Sequence, residues 1–266
     1  MKLFHYLEST ANKFHMSIIF NKFSYLFSKN KKPSLTVVGV GPGDPSLLTL
    51  GALKAIKNAS YIFYPVSATD KKSYAAEIVK KYIRFKKKIP IIFPMAREEY
   101  NPDRTWQFAA AKIISCLNEK SSGVLLCLGD TSIFASSSYV LRKIKKLDPQ
   151  LNIKKLPGIS SFSAAAAYAQ WDLVKQGEIL KIFECPNDST RFIDLLNKTA
   201  TSNIVLVILK VGKRWPWVKE VLKKKELLNK AILASHIGMQ NQFIEKASLN
   251  KSYDLPYFSL LIIRIN

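Results

Sequence analysis

Leu35-Thr36-Val37-Val38-Gly39-Val40-Gly41-Pro42-Gly43-Asp44-Pro45 is the stretch on which the reading of this chain turns. Leu35–Val40 is short, apolar and β-branched, which suits a buried strand. It ends in glycines, and Ser46–Asn58 follows with Leu47, Leu48, Leu50, Leu53 and Ile56 on or near one helical face. A strand that passes through glycines into a helix lets backbone approach a ligand closely. A dinucleotide is the obvious ligand, but the fit is poor. The third glycine of that fingerprint falls at Asp44, and the second strand ends Tyr64-Pro65-Val66-Ser67, with no carboxylate to hold a ribose. A P-loop fits worse, because no Gly-Lys-Ser/Thr follows. Two readings of Asp44 stay open. It can cap the next helix. It can also act chemically, since it lies just outside the carboxyl end of a strand, where open α/β sheets bind ligands.

Outward from this unit the alternation continues. Ser60–Val66, Ile89–Phe93 and Gly123–Leu128 read as strands, and Lys72–Ile83, Arg104–Asn118 and Ser136–Lys146 as helices. A second series begins near Leu151, with strands at Asn152–Leu156, Ile179–Glu184, Asn203–Lys210, Lys230–Ser235 and Tyr257–Ile265 and an Ala-rich helix at Ser160–Ala169. This order predicts α/β architecture with mostly parallel sheets. The polar stretch Leu147–Lys154, with Pro149, marks the expected boundary between an N-terminal α/β domain (34–150) and a C-terminal one (151–266). Residues 1–33 carry Lys and Phe, no Gly and no clear period. They lack the apolar core and cleavage site of a secretory signal, and read as a flexible basic extension without a catalytic role.

Composition limits the partners. The chain has 266 residues and is 48% hydrophobic, an ordinary globular balance. No apolar run approaches the roughly 18 residues of a membrane span, so no membrane partner is expected. Cys116, Cys127 and Cys185 are widely spaced, with no CxxC pair, and there are three histidines. That argues against a metal site and for reduced thiols in a cytoplasmic compartment. The net charge of +22 suits a polyanionic partner, although lysine-rich solvated faces such as Lys86–Lys88 and Lys223–Lys225 can carry much of it. A basic nucleic-acid-binding protein without catalysis is the alternative of a different class. No RNP-like strand, zinc finger or helix-turn-helix supports it, and no nucleic acid is expected.

Two more loops resemble the first in kind. Leu128-Gly129-Asp130-Thr131-Ser132-Ile133 follows one strand, and Pro157-Gly158-Ile159-Ser160-Ser161 follows another. The serines of the latter sit where helix N-caps belong, so capping is their plain structural reading. Three such loops in this order are specific. With Leu48-Thr49-Leu50, they make residues 34–266 resemble the tetrapyrrole methylase family. Phe93-Pro94-Met95 followed by Trp106, Lys210–Trp215 and Pro256–Leu261 resemble the branch of that family that methylates precorrin-2 at its C(20) meso carbon. One departure stands out: the family usually has proline after the Gly-Asp pair, where this chain has Thr131, which suggests a less rigid loop.

The resemblance implies two α/β domains with a ligand cleft between them. It implies S-adenosyl-L-methionine as methyl donor, S-adenosyl-L-homocysteine as its product, and precorrin-2 converted to precorrin-3A in cobalamin biosynthesis. A cobalt-loaded or later precorrin is the nearest alternative. By position, Pro65, Leu128, Gly129, Asp130, Ile133, Ser160, Ser161, Val211, Ser235 and His236 are implied at the cofactor. Gly41, Gly43 and Asp44 are implied at the tetrapyrrole, with Asp44 as the candidate catalytic base. The substrate carries eight carboxylates, so Arg97, Lys213 and Arg214 become candidate partners for its acidic arms. A homodimer is expected from the family.

Overall fold

The computed structural model describes residues 32–67, 72–93, 102–117, 121–199 and 203–265. The expected N-terminal extension and Arg97 lie outside these residues.

The first half builds one parallel sheet. Its strands are β1 (Ser34–Gly39), β2 (Tyr61–Val66), β3 (Lys87–Ile92), β4 (Ser122–Cys127) and β5 (Asn152–Leu156), in the order β3-β2-β4-β1-β5. Every pairing is parallel. The connecting helices are α1 (Leu50–Asn58), α2 (Tyr74–Ile78), α3 (Lys80–Ile83), α4 (Pro102–Cys116) and α5 (Ser137–Leu147). Residues alternate between the two faces of a strand, and both faces here are apolar. Leu35, Val37, Leu125 and Cys127 pack under α4 and α5, against Ile113, Val140 and Ile144. Val38, Val40, Val124 and Leu126 pack under α1 to α3, against Ala52, Ile56 and Ile78. A parallel sheet buried on both faces reads as a continuous apolar run, which is how Leu35–Val40 was legible.

The second half builds a mixed sheet. It contains β6 (Ile179–Glu184), β7 (Ile204–Leu209), β8 (Ala231–Ser235), β9 (Phe243–Lys246) and β10 (Ser259–Ile265), in the order β6-β7-β10-β8-β9. Only β6 and β7 are parallel; β10 runs against both β7 and β8, and β9 against β8. Helices α7 (Ser189–Asn197) and α8 (Trp215–Lys224) cover one face through Phe192, Trp215, Val218 and Leu222. On the other face α6 (Ser161–Tyr168) lays Phe162 and Ala164–Ala166 on Val205, Val207 and Ile262.

Two expectations need correcting. Asn152–Leu156 does not open the second domain: β5 pairs with β1 along its whole length, so the change from one sheet to the other falls after Leu156, not at 150. The polar stretch before it is the short turn between α5 and an edge strand. The expectation of mostly parallel sheets holds for the first half alone, because β8, β9 and β10 follow one another without the crossover helices that parallel pairing needs. The four-residue β9 was not expected; its sequence, Phe-Ile-Glu-Lys, is too short to show a period.

Candidate active site

Strands β4, β1 and β5 are neighbours and run in the same direction. Their carboxyl ends therefore lie side by side, and so do the three glycine-rich loops that leave them. The contacts are close. Gly41 and Gly129 exchange backbone hydrogen bonds at 3.2 and 2.8 Å. A Cβ on Gly158 would lie 2.2 Å from the Gly129 carbonyl oxygen, and one on Gly39 would lie 2.5 Å from the Gly158 nitrogen. No side chain fits between these backbones. The second half joins the same cluster: a Cβ on Gly43 would lie 2.5 Å from the Ile237 carbonyl oxygen, and one on Gly238 would lie 2.4 Å from the Asp44 nitrogen.

Asp130 fastens two of the loops together. Its Oδ1 accepts from the Ser132 N–H at 2.8 Å and from the Ser132 hydroxyl; its Oδ2 accepts from the Gly158 N–H at 2.9 Å. Burial alone would push this carboxyl up. The hydrogen bonds from the Ser132 hydroxyl and from the N–H groups of Ser132, Gly158 and Thr131 outweigh it and hold the carboxyl below its ordinary value. Thr131 is buried, and its hydroxyl donates to the Leu156 carbonyl at 3.3 Å. The residue that replaces the family's proline thus ties the β4 loop to the end of β5, and the expected slackening is not what the structure shows.

In front of these loops lies a cavity of about 2110 Å³ lined from both halves of the chain. Of the residues expected at a cofactor, Pro65, Leu128, Gly129, Asp130, Ile133, Ser160 and Ser161 line it. Gly129 has φ +72° and nothing within 4 Å of where a Cβ would stand. Ser160 occupies the N-cap position of α6 yet makes no side-chain capping bond. Its hydroxyl and that of Ser161 are left for the cavity. Leu128, Ile133, Pro65 and Phe162 add apolar surface beside them. A folded nucleoside with an amino-acid tail needs such a mixture: an apolar shelf, open backbone and unengaged hydroxyls. The residues present fit it.

Other expected residues sit elsewhere. Val211 is fully buried in the core under α7 and α8, at the turn where its N–H donates to the Ser259 carbonyl at 3.1 Å. Ser235 is buried against Phe258, donating to its carbonyl at 3.3 Å. The Ser235 hydroxyl also lies 3.2 Å from Nδ1 of His236, which adopts φ +50°. None of the three lines the cavity; their neighbours Lys210, Ile237, Phe258 and Ser259 do. Gly41 and Gly43, expected at the substrate, make backbone contacts inside the loop cluster instead. Pro42 is the member of that loop on the cavity wall. Asp44, expected to be catalytic, is half-buried and caps the short 3-10 turn Pro45–Leu47, accepting from the Ser46 N–H at 2.7 Å. It is absent from the cavity wall. The capping reading describes its geometry, because a carboxylate so placed satisfies an orphan N–H.

Arg214 lines the cavity, but its guanidinium is held by Asn187 Oδ1 at 2.6 Å and by the Lys210 carbonyl at 3.2 Å. Lys213 is exposed and faces elsewhere. The wall carries other cations that the sequence did not single out: Lys72, Arg142, Lys145, Lys155, Arg191 and Lys210. Its carboxylates, besides Asp130, are Glu77 and Glu184, the latter paired with Lys210. Lysines on short polar elements carry no signal in one sequence; only folding shows which of them share a wall. Among the described residues no cluster of His, Cys, Asp and Glu is arranged to hold a metal ion, and no helix is long and apolar enough to cross a membrane.

Known proteins resemble this chain in sequence and in fold. A chain from Methanocaldococcus jannaschii named "Probable cobalt-precorrin-2 C(20)-methyltransferase" is 35% identical over 178 residues, which is 65% of this chain and 75% of that one. The cobalt-precorrin-2 C(20)-methyltransferase of Salmonella typhimurium is 24% identical over 232 residues, covering 86% of this chain and 95% of its own length. A cobalamin-synthesis-related protein, CobF, from Corynebacterium diphtheriae shares the fold, with a TM-score of 0.65 at 17% identity over 87% of this chain and 98% of that one. The family described as Tetrapyrrole (Corrin/Porphyrin) Methylases matches residues 34–252, a span that holds both sheets up to β9 and all three glycine loops, and the chain belongs to that family.

Proposed function

We propose that this methylase transfers a methyl group from S-adenosyl-L-methionine to the C(20) meso carbon of precorrin-2 or of its cobalt complex, in cobalamin biosynthesis. One observation carries the reading. The loops after β4, β1 and β5 close on one another through glycine backbone and open, with Ser160 and Ser161, onto a single cavity shared with the second half. The names of the relatives point to the same carbon of the same ring system.

S-adenosyl-L-methionine supplies a methyl on a positively charged sulfur, ready for displacement by carbon. The protein's part is alignment and environment. Gly129 offers exposed backbone, Ser160 and Ser161 offer hydroxyls, and Leu128, Ile133 and Pro65 present apolar surface on their side of the cavity. Holding a nucleophile in line can lower a barrier by about 7–11 kcal/mol in favourable cases. An apolar surround favours a step in which positive charge on sulfur is lost. The reduced macrocycle is enamine-like at its meso position, so the chain need not create the nucleophile. It must accept a ring proton afterwards. With Asp130 engaged by three donors and Asp44 off the wall, the remaining carboxylates of the cavity are Glu184, paired with Lys210, and Glu77, paired with Lys80; either would accept that proton against the pull of its cation.

The test is direct. Purified protein is given S-adenosyl-L-methionine with metal-free or cobalt-loaded precorrin-2, and product is followed by mass and absorbance. A gain of one methyl on either substrate supports the reading and names the preferred form. No gain on either, together with no calorimetric binding of S-adenosyl-L-homocysteine, rejects it.

A further inference from the structure

The cavity wall has two chemically different ends. In the second half every cation on it is already engaged by protein: Lys210 with Glu184, Arg191 with Asp188, Arg214 with Asn187 and a carbonyl. In the first half Arg142, Lys145 and Lys155 have no carboxylate partner among the described residues. Their placement follows from the elements that carry them. Tyr139, Arg142 and Lys145 are spaced by three along α5 and so share one side of the helix. Ile153 and Lys155 alternate onto one face of β5, the face that lines the cavity.

Aromatic rings back this array. Phe93 meets Trp106 edge-on at 5.2 Å, Trp106 stacks on Tyr139 at 5.5 Å with ring planes 12° apart, and the Arg142 guanidinium lies 4.8 Å from the Tyr139 ring centre. All four residues line the cavity. The guanidinium is flat and keeps five donors. A ring beneath it restricts the side chain without using any of them, so little freedom is left to lose when an anion binds.

We propose that Arg142, Lys145 and Lys155 form the seat for the carboxylate arms of the macrocycle, with the Phe93–Trp106–Tyr139 stack positioning Arg142. The seat selects a polycarboxylate ring at the first-half end of the cavity and leaves the cofactor loops to bind by themselves. This rests on the functional reading above.

The experiment separates the two. A metal-free porphyrin bearing eight carboxylates is titrated into the full-length protein without cofactor, and binding is read from quenching of tryptophan fluorescence at several salt concentrations. The triple variant Arg142→Gln/Lys145→Gln/Lys155→Gln should bind it at least tenfold more weakly, with a shallower salt dependence. Its affinity for S-adenosyl-L-homocysteine and its Tm should match the wild type. Tyr139→Leu should weaken porphyrin binding about threefold or more and Tyr139→Phe should restore it, since phenylalanine keeps the ring face. The control Lys54→Gln/Lys57→Gln removes two exposed charges of α1 away from the cavity and should change nothing. Porphyrin affinity in the triple variant within twofold of the wild type overturns the proposal. So does an equal loss in the control pair, or a wild type that does not bind the porphyrin. A wild type that binds the porphyrin through these residues but transfers no methyl to precorrin-2 leaves the seat standing and removes the reaction.

Discussion

Replacing Asp130 tests whether the loop cluster is held by a clamp or by its ligand. The carboxylate accepts from two backbone N–H groups, at 2.8 and 2.9 Å, and from one hydroxyl. Hydrogen bonds to a charged partner are worth about 1.5–3 kcal/mol each. The surroundings are partly open, so water can replace some of what Asp130→Ala removes. Taking the low end for the two backbone bonds gives a loss of about 3 kcal/mol, which for a chain of this size lowers Tm by roughly 6–12 °C. Asp130→Asn keeps one acceptor and turns an amide toward the other donor, so about half that loss is expected. The pH dependence has a definite sign. A carboxyl held below its ordinary value when folded stabilises the protein fully above the unfolded value of about 3.9, and the contribution fades as acid titrates the folded group. The gap in Tm between wild type and Asp130→Asn should therefore be full at pH 7 and shrink below about pH 4. Thermal melts by circular dichroism, with calorimetric titration of S-adenosyl-L-homocysteine, give both readouts. If Asp130→Ala melts within a degree of the wild type yet loses cofactor binding, Asp130 is a ligand contact and the clamp argument is refuted.

Further outcomes follow from the same geometry. Gly158→Ala places a methyl group 2.2 Å from the Gly129 carbonyl oxygen, so it should cost several kcal/mol and abolish S-adenosyl-L-homocysteine binding; a soluble variant with normal affinity would show that the loops can part. Asp44→Asn keeps an oxygen to cap the Ser46 N–H and should retain methyl transfer within about threefold, whereas Asp44→Ala should lose about 1 kcal/mol of stability; a hundredfold loss of turnover in Asp44→Asn would return Asp44 to the chemistry. Burial pushes the Cys127 and Cys185 thiols up to about 11, so thiolate is scarce at pH 8 and both should resist a disulfide reagent until denaturant is added; rapid titration of all three cysteines in native buffer would contradict their placement. The indole N–H of the fully buried Trp215 donates to Asn250 at 2.9 Å, and Trp215→Ala should cost about 3–5 kcal/mol, read as a fall in the denaturant midpoint.

Local chemistry was enough for the first sheet and its loops. Leu35–Val40 announces a strand buried on both faces, and Gly39, Gly129 and Gly158 announce backbone that something must approach. Each of these signals spans only a few residues of the chain, and short-range signals survive in a sequence read alone. The three loops together also carried the family, because their order along the chain is itself sequence information. What approaches each glycine was not legible. The sequence suggested a ligand, while at Gly39, Gly43 and Gly158 it is another loop of the same protein.

Long-range placement decided the rest. That Asn152–Leu156 pairs with β1 depends on a partner more than a hundred positions away, and its polar, half-exposed composition is that of any edge strand. The sheet of the second half turned out mixed because β8 to β10 are joined without crossover helices, a matter of geometry that periodicity does not record. Asp44 and Asp130 look alike in sequence, each an acid after a glycine at a strand end. Folding makes one the cap of a turn and the other a clamp between loops, because only Asp130 meets the N–H of Gly158. Charge shows the same division most clearly. The sequence fixes that 41 of its residues are lysine or arginine, and so that an acidic partner suits it. Only the tertiary structure determines that Arg142, Lys145 and Lys155 share a wall while Lys213 faces away, since a cation's role depends on what stands across from it, and that is set by packing.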